Sequence, residues 1–272
     1  ILARPGMIVD CTGGRSAQAN IAGAFRKLEP AGTKWHIYGY LGIMGNYVLM
    51  MFYTVVSGWL VAYVWYSLSG QLHGLSPDEV GAFFGATLAS PTTQLSWMAL
   101  VIFIGFGICA MGLRNGVERI TKVMMSGLFI IVIVLAIRAV TLPGAMAGVE
   151  FYLKPDFGKL VENGLWETIY AAMGQSFFTL SVGIGSMLIF GSYLSKERSL
   201  TGESLSILGL DTFAALMAGM IIFPSCFAFG VEPNAGPGLI LVTLPNVFNS
   251  MSHSILWSVL FFVFMSFAAL ST

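Results

Sequence analysis

Charge is scarce in this sequence. Its 272 residues carry 13 Lys and Arg against 13 Asp and Glu, 10% of the chain, for a net charge of zero. So little charge cannot clothe a water-soluble domain of this size. The even balance also excludes the basic footprint of a nucleic-acid partner and the polybasic segment of a peripheral membrane protein. Cysteine is nearly absent: Cys11, Cys109 and Cys226 stand singly in or beside apolar segments, which argues against a disulfide framework or a clustered metal site. His36, His73 and His253 lack ligand spacing among themselves and fall near predicted interfaces. The glycine patches GIMGN and GVERITK have no P-loop lysine and follow no strand, so phosphate binding is unsupported. There is no initiator methionine and no signal peptide, and FAALST ends inside an apolar run, so a partial chain is expected.

What the sequence does hold is apolar length. Hydrophobic residues make up 56% and mean hydropathy is +0.81, the signature of a polytopic, all-α membrane protein. Residues 1–13 read as the end of a helix. Spans are expected at about 37–68, 94–112, 123–141, 166–194 and 205–230, with a last helix beginning near Ser254. The stretch 231–253 has no basic residue and three prolines, and reads as a re-entrant or lid-like loop. Lys plus Arg, counted over the loops at 14–35, 69–92, 113–122, 142–165, 195–204 and 231–253, number four, none, three, two, two and none. The positive-inside rule then places 14–35, 113–122 and 195–204 in the cytoplasm and 231–253 outside.

Residues 166–194 organise the rest. The stretch is long enough to cross a bilayer, yet its centre holds Gln175, Ser176, Thr179, Ser181, Gly183 and Gly185. In hydrocarbon every backbone N–H and C=O needs a partner, so a helix opens at membrane depth only where protein, water or ligand satisfies the freed groups. Glycines 183 and 185 lower the cost of leaving helical geometry. One reading is a broken helix that binds an ion and a solute; the other is a continuous helix whose small residues pack closely against neighbours. Asp211, inside a predicted span, is a functional candidate by its location, with a snorkelling role near a helix end as the alternative. Asp10 is a weaker candidate of the same kind, and could equally cap or pair with Arg15.

At GQSFFTLSVGIG, residues 174–185, the sequence resembles the neurotransmitter:sodium symporter family, in particular bacterial amino-acid transporters of the leucine-transporter type. Further similar stretches follow in order: GGRSAQANIAGAFRKL to the end of helix 2 and the first inner loop, GLRNGVERITKVMM to the helix 4–5 connector, GPGLILVTLPNVF to the outer-loop-4 lid, and FAALST to the helix 8 ion motif. The resemblance implies a transporter domain over 1–272, from mid helix 2 into helix 8, without helix 1 and the helices after 8. It is part of a five-plus-five inverted-repeat fold with a discontinuous helix 6; these are that family's known properties, carried over with the resemblance.

The resemblance also implies roles. Tyr53 matches the helix 3 tyrosine that contacts the substrate carboxylate and helps close the outer side, and Leu49 and Val56 would line the substrate pocket. Phe178 resembles the aromatic lid and Gln175 the glutamine below the outer gate. Ser181 and Ile184 occupy substrate-contacting positions, and Thr179 that of a first-sodium ligand also bordering the substrate. Asp211 falls where many members carry a sodium-ligating asparagine. Ala268, Ser271 and Thr272 match the second sodium site, Thr272 also bordering the substrate. Ser271 then Thr272 reverses the usual order, Ser126 replaces a frequent proline, and Ala215 lies where chloride-dependent relatives carry serine, so Asp211 is expected to supply the missing negative charge. The implied activity is Na⁺-coupled, chloride-independent symport of a neutral, hydrophobic amino acid in the inner (plasma) membrane. Its alternatives are a non-transporting solute sensor of the same fold, and an intramembrane enzyme built on Asp211, for which no second acid or nucleophile is evident.

Overall fold

In a computed structural model of the chain, residues 3–155, 157–158, 164–195, 197–230 and 236–271 are described. They form helices α1 (Arg4–Ala17), α2 (Ile21–Leu28), α3 (His36–Leu68), α4 (Pro77–Ala89) and α5 (Pro91–Ala110). A π-helical turn, Leu113–Glu118, leads into α6 (Arg119–Val140), followed by α7 (Ala145–Leu153), α8 (Leu165–Thr179), α9 (Ser186–Tyr193) and α10 (Leu200–Ala228). A second π-helical turn, Leu239–Thr243, continues as α11 (Leu244–Asn249), and α12 (Ser254–Ser271) ends the described chain. Among the described residues five helices are long and apolar enough to cross a membrane: α3, α5, the stretch Gly116–Val140, α10 and α12.

These five fall where the apolar runs predict, because a run of about 20 apolar residues has few other ways to satisfy its backbone in lipid, and the sixth expected span, 166–194, is divided between α8 and α9. The connecting segments hold more helix than their polarity suggests. Asn20 caps α2 by accepting the N–H of Gly23, and Ser76 and Glu79 form a reciprocal capping box that starts α4 at Pro77. Ser90 accepts from Thr93 and starts α5, again with proline at the first helical position.

The chain divides into two compact units, residues 1–51 with 156–213, and residues 52–155 with 214–272. In the first unit α1 packs on α9 through glycine. A Cβ on Gly14 would stand 1.8 Å from the Leu188 carbonyl oxygen, and one on Gly191 would stand 2.5 Å from that of Cys11, so the two backbones meet directly. Ala3, Met7, Cys11, Leu180 and Val182 form a buried cluster, against which Leu200, Ile207 and Leu208 of α10 pack.

The second unit is built on a larger core. Leu60 and Tyr63 of α3, Leu128, Val132 and Leu135 of α6, Ile221 of α10, and Phe261 and Phe262 of α12 are all buried in it. Leu241, Leu244, Val247 and Phe248 add the lid-like stretch to the same core. The corner between α11 and α12 is fastened to the turn after α3: Asn249 donates to the carbonyls of Leu72 and Leu75, at 2.8 and 3.2 Å, and His73 Nδ1 lies 2.5 Å from Ser254 Oγ.

Candidate functional site

The helix that begins at Leu165 stops at Thr179, and helix resumes at Ser186. Residues 180–185 are turn, with Ser181, Gly183 and Gly185 at φ of 51°, 84° and 90°. Glycine adopts those values freely, whereas a left-handed serine costs roughly 1–2 kcal/mol. The break is therefore held open by its surroundings, and of the two sequence readings the discontinuous helix is the one observed.

Three side chains take up the backbone groups that the break releases. Asp10 Oδ2 on α1 accepts the Gly183 N–H at 2.9 Å. The Tyr38 hydroxyl on α3 donates to the Gly183 carbonyl at 2.7 Å. Asn46, two turns further along α3, donates to the Ile184 carbonyl at 2.7 Å and to the Gly42 carbonyl at 2.9 Å, with Ser186 Oγ at 3.5 Å from its Oδ1. Asp10 thus acts as a cap on the break; Arg15 donates instead to the Arg198 carbonyl at 2.8 Å. The carbonyls of Leu180, Ser181 and Val182 accept no hydrogen bond among the described residues. Tyr38 and Asn46 were not legible in the sequence, where nothing distinguishes them from other polar residues of a long span.

The expected site residues of this unit lie as follows. Phe178 is 65% exposed, Thr179 and Gln175 are exposed, with Gln175 Nε2 3.5 Å from Thr179 Oγ1, and Ser181 and Ile184 are half-buried in the break. Leu49 is half-buried on α3, three residues past Asn46. Asp211 is half-buried on α10, and its carboxylate makes no hydrogen bond or ion pair among the described residues. It follows Ile207 and Leu208 by one helical turn, which puts it on the face of α10 that packs against the cluster of Ala3, Met7, Cys11, Leu180 and Val182.

In the second unit Tyr53, Val56 and Ala268 line one cavity of about 350 Å³, within the range of roughly 300–1,000 Å³ found for small-molecule sites. Its other walls include Ser57, Pro237, Ile240 and Met265, residues that the sequence did not single out. Ser57 shows a usable signal only in retrospect: it stands one turn from Tyr53 and donates back to its carbonyl at 2.8 Å. The Ser271 hydroxyl lies 3.1 Å from the Ala268 carbonyl oxygen and 3.5 Å from Met125 Sδ, so two of the three expected second-sodium oxygens are neighbours. Thr272 lies outside the described residues. Carbonyl and hydroxyl oxygens of this kind suit a hard cation without placing a full charge on each ligand.

Residues 87–272 match the family model described as the sodium:neurotransmitter symporter family. The uncharacterized sodium-dependent transporter YhdH of Bacillus subtilis is 37% identical over 276 residues, covering 100% of this chain and 59% of that protein. An uncharacterized sodium-dependent transporter of Haemophilus influenzae is 36% identical over 281 residues, covering 100% of this chain and 61% of its own length. Among solved structures, the crystal structure of MhsT in complex with L-phenylalanine is similar with a TM-score of 0.88 and 39% identity, over 99% of this chain and 60% of that one. The chain spans about three-fifths of the length of these relatives.

Proposed function

Because the chain belongs to the sodium:neurotransmitter symporter family, we propose that the intact protein moves a neutral, apolar amino acid across the plasma membrane, driven by Na⁺ through alternating access. The observation that carries this reading is the opened backbone at residues 180–185, whose Leu180, Ser181 and Val182 carbonyls are left without a hydrogen-bond partner among the described residues. Unwound carbonyls near mid-membrane are the means by which transporters hold cations.

In this reading Thr179 and Asp211 belong to one sodium site, and Ala268, Ser271 and Thr272 to a second. The resemblance assigns substrate contact to Leu49, Phe178, Thr179, Ser181 and Ile184 in the first unit and to Tyr53, Val56 and Thr272 in the second, and outer-gate roles to Gln175 and Phe178 in the first and Tyr53 in the second. The apolar side chains of Leu49, Val56 and Ile184 select an apolar substrate. Support comes from the shared cavity of Tyr53, Val56 and Ala268 and from the L-phenylalanine held by the similar MhsT structure. Asp211 brings a fixed negative charge beside the cation, which removes the need for a chloride counter-ion.

The test is uptake of labelled neutral amino acids into proteoliposomes containing the intact protein under an inward Na⁺ gradient. Accumulation with Na⁺ outside and none with K⁺ is expected, and equal uptake in both salts would sink the reading. Replacing chloride by gluconate leaves uptake unchanged if Asp211 supplies the charge. Collapse of uptake in gluconate refutes that role while leaving sodium coupling intact.

A further inference from the structure

The break ends in Gly183, Ile184 and Gly185, and both glycines are in the left-handed region, at φ of 84° and 90°. Glycine imposes little preference of its own on the backbone, so local sequence does not orient a residue held between two of them. Its direction has to come from outside the segment. Gly183 is held at both ends, its N–H on Asp10 of α1 and its carbonyl on Tyr38 of α3. Gly185 is held by shape, since a Cβ there would stand 2.6 Å from Ile21 Cδ1. Ile184 is held through its carbonyl, which accepts from the Asn46 amide of α3 at 2.7 Å.

Asn46 is itself fixed. Its Nδ2 also donates to the Gly42 carbonyl one turn back at 2.9 Å, and its Oδ1 lies 3.5 Å from Ser186 Oγ. Turning the amide over would set its oxygen against two carbonyl oxygens, so the donor faces the break. Gly42 supplies the room: a Cβ there would stand 3.3 Å from the Ile184 oxygen, closer than packed atoms usually come. Isoleucine is branched at Cβ and stiff about χ1, so a fixed Ile184 backbone carries a fixed side chain with it.

We propose that Asn46 is a positioning residue for substrate selectivity: by fixing Ile184 between its two glycines it sets which apolar side chain the amino-acid pocket prefers, a role that rests on the transport reading above and its placing of Ile184 against the amino acid. Without the amide, the Ile184 carbonyl loses its partner and the peptide turns on its flanking glycines. The pocket must then be ordered by the amino acid that enters it, which weakens binding and blunts discrimination. Thr179 and Asp211, the sodium ligands of the same reading, stand on α8 and α10, outside the segment that Asn46 holds. The effect therefore falls on the amino acid and not on the ion.

The experiment compares Asn46→Leu, Asn46→Gln and Gly42→Ala with the unmutated intact protein in proteoliposomes, using alanine, valine, leucine and phenylalanine. KM for each amino acid is measured at saturating Na⁺, and half-saturating Na⁺ at saturating amino acid. Asn46→Leu is expected to raise KM for the preferred amino acid about three- to tenfold, the size of one lost hydrogen bond, and to raise it less for the others, so that the preference narrows. Half-saturating Na⁺ stays where it was. Gly42→Ala keeps the amide but pushes the Ile184 oxygen away from α3; it is expected to shift the same ratios, and it decides the matter if Asn46→Leu does not fold. Asn46→Gln, which retains the donor, recovers part of the preference. Unaltered KM ratios in both Asn46→Leu and Gly42→Ala, or an equal rise for every amino acid, overturn the proposal, as does a rise in half-saturating Na⁺ as large as the rise in KM. Equilibrium binding of the same amino acids to the purified intact protein separates this result from the transport reading. Binding ratios that shift in the variants support the role of Asn46 even where the unmutated protein accumulates nothing, and unshifted ratios refute it even where uptake is driven by Na⁺.

Discussion

Gly183 gives its N–H to Asp10 and its carbonyl to Tyr38, so each partner can be removed separately and the cost read at one residue. Asp10→Ala leaves the Gly183 N–H without an acceptor, and a buried donor left unpaired costs about 1–3 kcal/mol. The melting temperature of the intact protein in detergent should fall accordingly, while Asp10→Asn, which still presents a carbonyl oxygen, should recover much of the loss. Equal melting of Asp10→Ala and the unmutated protein would mean that the break finds its acceptor elsewhere. Gly185 carries a second, steric prediction. Its φ of 90° suits glycine, and an added Cβ would press on Ile21. Gly185→Ala should therefore destabilise by roughly 1–3 kcal/mol, and pairing it with Ile21→Val should return only the part due to contact, since the backbone strain stays.

At the scale of elements, the start of α3 depends on one carboxylate. Glu29, only 13% exposed at its side chain, accepts the backbone N–H of His36 at 3.0 Å and its ring Nδ1 at 2.8 Å, which caps the helix that carries Tyr38 and Asn46. The His36 N–H is the main cause of a Glu29 pKa held below the ordinary glutamate value. A depressed carboxylate contributes stability that is complete above its unfolded pKa and is lost as pH falls through the folded one. The intact protein should thus lose thermal stability on acidification below the usual carboxylate range. Glu29→Gln should flatten that part of the profile, and a profile unchanged by the substitution would remove Glu29 from the account. The spans were legible in the sequence because apolar length alone determines them, and the break was legible because Ser181, Gly183 and Gly185 are poor residues for helix at membrane depth. The partners of the break were not, since Asp10 and Asn46 lie 173 and 138 residues from the groups they bind and no local pattern marks them. Helices α2, α4 and α7 fall in segments that the sequence assigns to loops, since 8, 13 and 9 residues are too few to cross a bilayer, although Ser76 and Glu79 are spaced as a capping box.

For the molecule as a whole, the outward faces of the spans are those of a protein solvated by hydrocarbon: Phe103 and Phe106 on α5 are 78% and 73% exposed, and an aromatic ring left in water forfeits about 1.5–3 kcal/mol. The charge distribution predicts its orientation. Arg15, Arg26, Lys27 and Lys34 crowd the segment around α2, whereas residues 231–253 contain no basic residue, and holding Lys and Arg on the cytoplasmic side is the stronger topological signal of the two. Exposed positions in each segment make this testable, since Lys34 and Ser252 are both at the surface. In a background where Cys11, Cys109 and Cys226 are replaced by serine or alanine, Ser252→Cys in whole cells should react with a membrane-impermeant maleimide. Lys34→Cys should react only after the membrane is opened. The reverse pattern would invert the topology and turn the corner that Asn249 fastens to Leu72 and Leu75 toward the cytoplasm, where it could not serve as the base of an outer lid.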